Sequence, residues 1–240
     1  MNVYDRLKTG FEELIESNGW ENEGIRVQVR TLSPDEAIGR PEDQDYPIIK
    51  GRERMMEAEF HGARGQAFTD MPGGFSGTLK QIAEMELESN YARAVFLACL
   101  NAVMRHAGSV EGTVHCRDDA PPRCAAELAG YIEEKYGRPR IAMIGLQPRM
   151  VQVLAGRFEV RVTDLDEDNI GRDKFGVVIG GPDRTLDNIA WCDVALVTGS
   201  TLANATIMDV LSAKPTIYFG VTAAGPAVML ELERFCPLGS

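Results

Sequence analysis

From Arg140 onward, short apolar runs alternate with helically spaced segments, and this alternation limits the folding of the chain more than anything else in it. Ile141–Ile144, Glu159–Val162, Val177–Ile179, Val194–Val197 and Thr216–Phe219 have the length and character of buried strands. Helical spacing marks a segment running to Ala155, one around Leu186–Trp191, one from Thr201 to Ser212 and one from Pro226. Strands separated by helices imply βαβ crossovers and a parallel sheet covered on both faces. The expected class is α/β, with a Rossmann-like, mainly parallel domain over residues 91–240.

The first ninety residues have a different rhythm. Leu7, Phe11, Leu14 and Ile15 lie on one side of a helix over Val3–Ser17, which Gly19 stops. Ile25–Arg30 and Arg54–His61 alternate apolar and polar residues as half-buried strands do, with Met56, Ala58 and Phe60 inward. Ser33-Pro-Asp-Glu opens a short helix before an acidic, proline-bearing loop. Residues 1–90 therefore read as an α+β domain with antiparallel strands. The most apolar helix, Tyr91–His106, follows. Gly108–Arg117 is a connector, and Pro121-Pro122 opens a helix that ends at Gly137.

Composition removes several functions. The 25 Lys+Arg against 36 Asp+Glu give a formal charge of -11, which repels a phosphate backbone, so nucleic acid is not an expected partner. Ala94–Met104, the longest apolar stretch, falls well short of the roughly 20 residues that cross a bilayer. The amino terminus has no signal-peptide core, so the expected location is the cytoplasm without a membrane partner. Five cysteines scattered through such a chain leave thiols for packing, metal or redox use. Homo-oligomerisation stays open.

The strands of the second half end in small and polar residues: Gly145, Thr163-Asp164, Gly180-Gly181-Pro182-Asp183, Thr198-Gly199-Ser200-Thr201 and Gly220. In an open parallel sheet these turns share one edge, where ligands bind, although turn geometry alone also calls for glycine. The turn at Gly145 lacks the further glycines of a dinucleotide fingerprint, so NAD and FAD are not expected. Asp164, at the end of the second strand, suits a ribose hydroxyl or a simple turn. Gly199, Ser200, Thr201 and Asn204 suit either an anion or helix capping. In the first half, Gln66, Thr69 and Asp70 read as a polar loop able to close over a ligand, or as an ordinary turn. Asn101, an amide within an apolar helix, needs partners from a neighbouring segment or a ligand.

Two groups have metal-ligand chemistry. His115, Cys116 and Cys124 offer an imidazole and two thiolates from one short segment, suited to a soft or borderline ion, or else a buried apolar cluster. Glu57, Glu59 and His61 alternate on one strand, suited to a harder ion or to the solvated side of a sheet. Among conventional catalytic signatures, no nucleophile elbow, P-loop or HExxH occurs, and whether the chain is an enzyme stays open.

The order of Glu57-Ala-Glu-Phe, Gly65-Gln-Ala-Phe-Thr-Asp, Leu100-Asn-Ala, Thr113-Val-His-Cys-Arg-Asp with Cys124-Ala, Met143-Ile-Gly and Thr198-Gly-Ser-Thr-Leu-Ala-Asn-Ala-Thr resembles the prokaryotic heavy-metal-chelation family, a domain of unknown function. The resemblance implies an enolase N-terminal-like α+β domain joined to a Rossmann-like domain, with a site between them. It places Gln66, Thr69 and Asn101 across a cleft from Gly199, Ser200 and Asn204, and makes His115, Cys116 and Cys124 candidate ligands. The leading expectation is a protein that binds a heavy or transition metal, or its small-molecule complex, in that cleft. The alternatives are an enzyme, such as a transferase, holding a nucleoside or small carboxylate at the strand ends, and a non-catalytic partner-binding subunit.

Overall fold

The computed structural model describes residues 2–21, 26–211 and 214–240. Its first helix, Val3–Ser17, starts at a capping box in which Asn2 and Asp5 each accept the other's backbone N–H, and it buries Val3, Leu7, Phe11 and Ile15. A second capping box, Ser33 with Glu36, opens Pro34–Ile38. Four strands, β1 (Arg26–Leu32), β2 (Arg54–Phe60), β3 (Ala63–Thr69) and β4 (Phe75–Thr78), form an antiparallel sheet in the order β3-β2-β1-β4. Met56, Ala58 and Phe60 of β2 are buried together with the apolar face of the first helix, as the alternation predicts.

β3 is a correction. The segment Gly65–Asp70, expected as a loop, is strand through Thr69, paired residue for residue with β2. Glycine and glutamine are weak indicators of a strand, and here tertiary packing overrides them. The helix Asn90–His106 lies directly on β3: a Cβ at Gly65 would come within 2.2 Å of the Ala102 nitrogen and 2.4 Å of the Ala98 oxygen.

The second sheet contains β5 (Ile141–Ile144), β6 (Val160–Thr163), β7 (Asp173–Lys174), β8 (Val177–Gly180), β9 (Val194–Thr198), β10 (Thr216–Phe219) and β11 (Arg234–Phe235), in the order β11-β10-β9-β5-β6-β8-β7. Every pairing is parallel except β7 with β8. Helices Ala120–Tyr136 and Pro148–Ala155 pack on the face presenting Ile141, Met143 and Leu196. Thr185–Trp191 and the segments after β9 pack on the other, with Ala142, Ile144, Ala195 and Val197. The α/β class is thus the one expected, with the parallel sheet wrapped on both sides. Helix Asn90–His106 is buried along most of its length, and one core joins it to residues of both sheets.

The helix expected over Thr201–Ser212 is two short pieces, Ser200–Ala203 and Ile207–Val210. Asn204 breaks it: its Oδ1 accepts the Thr206 N–H (3.1 Å) and hydroxyl (2.7 Å), while Ala205 takes φ 66°. Ile25 and Ser212, outer residues of two expected elements, lie outside the described residues. The tail folds back on the connector, where Val114 and Ser240 exchange both backbone hydrogen bonds (2.8 and 2.9 Å).

Candidate functional site: a cleft along the strand ends

Where β5 stops, Gly145 takes φ 91° and donates its N–H to Thr163 O (2.8 Å). A Cβ there would stand 2.4 Å from Thr198 Cγ2, so the turns ending β5 and β9 touch and only glycine fits between them. The helices that follow these two strands leave for opposite faces of the sheet, which is the arrangement that opens a crevice at strand ends. The end of β3 and the segment before β2 stand opposite. Thr69 and Asp70 line the same cavity as Gly145, Asp164, Ser200 and Asn204, so the two halves of the chain do meet in one cleft.

Three connected spaces share Glu53, Thr198 and Ser200. One of them gathers Glu53, Asp70, Asp164, Asp166, Glu167 and Asp168 against Arg52. Its negative field draws cations in and opposes a phosphate or carboxylate. The helix after Gly199 is only four residues long. The side chains there serve one another: Thr201 Oγ1 donates to Thr198 O (2.7 Å), and Ser200 N to Thr198 Oγ1 (3.4 Å).

Asp164 is partly committed to its own loop, accepting the N–H of Leu146 (2.6 Å) and of Asp166 (2.7 Å), and burial raises its pKa. Glu53, which the sequence reading passed over, sits where all three spaces join. Burial, and then the nearby Asp164, push its carboxyl up to about 7, against a hydrogen bond from Ser200 that favours the anion. A carboxyl that changes charge near neutral pH inside a cleft is a mark of a functional position.

Another of these spaces is a largely apolar chamber walled by Tyr46, Phe68, Leu146 and Met150, and also by His115, Cys116, Cys124 and Cys236. All three cysteines are free. Cys236 follows β11 and arrives with the tail that pairs with Val114. Burial, and then the proximity of Cys236, push Cys116 and Cys124 up to about 12. His115 has its pKa lowered by burial; its Nδ1 meets Cys116 O at 2.5 Å and its ring stands edge-on to Phe68, 5.5 Å between centroids. The donor types, thiol and imidazole, fit a soft or borderline ion. Among the described residues, no three His, Cys, Asp or Glu side chains already converge as a coordination shell.

Two expected cleft residues are placed elsewhere. Gln66 is buried on β3, where Nε2 donates to Glu57 Oε2 (2.7 Å) and Oε1 accepts the His115 N–H (2.7 Å). It orients the connector carrying His115 and Cys116. Asn101 is buried, donating to Gln66 O (2.9 Å) and Val221 O (3.0 Å) while accepting from Gly225 N (2.7 Å). Its partners are structural.

The Glu57/Glu59/His61 stripe does not hold together either. Glu57 is buried, bonded to Gln66 and to Arg30 (3.2 Å). His61 leaves β2 at φ 49° and its ring packs on Phe60 and His106. Arg149, buried and paired with Asp43 and Asp45 (2.9 Å each), fastens the segment before Tyr46 to the strand-end edge.

Residues 130–230 match the family model DUF364, described as "Putative heavy-metal chelation". Two solved structures share the fold. One is a DUF364-family protein of unknown function from Pyrococcus horikoshii, with 16% identity over 92% of this chain and 80% of that one and a TM-score of 0.56. The other, also of unknown function and from the same family, is from Desulfitobacterium hafniense DCB-2, with 12% identity over 74% of this chain and 71% of that one and a TM-score of 0.52. No curated protein matches the chain. Among the described residues, no helix is long and apolar enough to cross a membrane.

Proposed function

We propose that this DUF364-related chain binds a soft or borderline metal ion, free or carried in a small complex, in the cleft between its two sheets. The observation that carries this reading is the apolar chamber, which Cys116, Cys124, Cys236 and His115, drawn from three separate segments, line together beside an acidic space. The acidic space concentrates cations. The chamber supplies polarizable sulfur, which selects among them. At neutral pH the buried thiols hold their protons, so a bound cation displaces them and coordination comes with proton release. The chamber's apolar walls suit a metal that arrives with a ligand of its own, leaving the thiols to complete its coordination.

The test is cadmium titration of the untagged full chain, read by thiolate-to-metal absorption in the ultraviolet and by metal analysis after gel filtration. Wild type should retain about one ion per chain, and Cys116→Ser/Cys124→Ser should lose at least ten-fold in affinity. Equal, negligible metal in both proteins discards the reading.

A further inference from the structure

On the far side of Glu53 and Ser200 the cleft continues into a crevice that holds none of the thiols. Its floor is the point where the parallel sheet changes winding direction: Gly145 after β5, Thr163 and Asp164 at the end of β6, and Thr198 of β9. Two leucines stand in its walls, Leu165 after β6 and Leu186 after β8, and they are 52% and 65% exposed. A single exposed leucine means nothing; two lining the same concave surface, over a polar floor, are what a flat apolar ligand covers.

The polar groups around them are short and fixed. Thr185 Oγ1 donates to Thr163 Oγ1 (3.3 Å), and Asn204 holds Thr206 through its oxygen alone. The Asn204 amide nitrogen has no acceptor among the described residues, and the residue lines this crevice. Asp164 accepts Leu146 N–H on one oxygen and Asp166 N–H on the other, with the Asn169 side chain as a third donor, which leaves the carboxylate room for one hydroxyl. Asp209, Asp164 and Glu53 make the surroundings negative.

We propose that this crevice binds a nucleoside without phosphate. The base lies between Leu165 and Leu186, its acceptor edge meets the Asn204 amide, and one sugar hydroxyl faces Asp164. The three carboxyl groups exclude the 5′-phosphorylated forms. This site goes beyond the metal reading and does not depend on the thiols.

The experiment is calorimetric titration of the full chain with adenosine, guanosine, cytidine and uridine, each beside its 5′-monophosphate. At least one nucleoside should bind, with its monophosphate ten-fold weaker or more. Leu186→Gln and, independently, Leu165→Gln should each weaken binding at least five-fold with the melting temperature unchanged; these side chains are exposed, and if one variant fails to fold the other decides. Cys116→Ser/Cys124→Ser should bind the nucleoside as wild type does, whatever happens to its metal. No binding of any of the four at millimolar concentration, equal affinity for a monophosphate, or affinity untouched by both leucine substitutions overturns the proposal.

Discussion

Glu53 shows how one side chain's meaning comes from what the fold brings opposite it. Its carboxyl has a pKa near 4.5 in the unfolded chain and about 7 in the cleft. The protonated form therefore favours the folded state below pH 4.5, and that advantage is lost as pH rises through 7. Glu53→Gln should be more stable than wild type at pH 8 by on the order of 1–2 kcal/mol, a figure reduced because the cleft is open to water, and the difference should shrink towards pH 5. Urea denaturation at the two pH values checks this, and a pH-independent difference would refute it. In the sequence, Glu53 lies in Arg52-Glu53-Arg54 and looks like the charged start of a strand. That Asp164 and Ser200 stand at strand ends was legible, because such turns are recognisable locally. Cys236 was not, since only the folded-back tail brings it to Cys116 and Cys124.

Among the elements, the pairing of helix Asn90–His106 with β3 decides how closely the first sheet approaches the core. Gly65→Ala would force a methyl group against helix backbone, which cannot rotate away, and should cost about 3 kcal/mol. Gly130→Ala, in helix Ala120–Tyr136 with nothing within 4 Å of the added methyl, should instead stabilise by ~0.5–1 kcal/mol. Chemical denaturation of both variants tests the contrast; a neutral Gly65→Ala would mean the strand and helix can separate. The same closeness explains why β3 was illegible. Its small and polar residues are chosen by the helix above it, so they show neither a run of β-branched side chains nor a strong alternation. Long apolar segments, by contrast, announce themselves, and the helices and inner strands of the second half lie close to where periodicity puts them. Asn204 interrupts its helix through a side-chain bond that periodicity does not register.

For the whole molecule, βαβ alternation was enough to predict a parallel sheet and a binding edge, but not the order β11-β10-β9-β5-β6-β8-β7, which depends on contacts far apart in sequence. Nor could it show that one core spans both sheets, with Asn101 at its centre joining β3, the Val221 turn and Gly225. Asn101→Leu would leave Gln66 O and Gly225 N without that partner and Val221 O with the Ala224 N–H alone, and should cost ~3 kcal/mol. Calorimetry should show one transition at lower temperature; two separated transitions would mean the sheets unfold independently. The reciprocal pairing of Val114 with Ser240 acts on the same scale. It works like a clasp: two reciprocal hydrogen bonds tie the stretch carrying His115 and Cys116 to the one that brings Cys236, so the sulfur-bearing wall is fastened by backbone rather than by side chains.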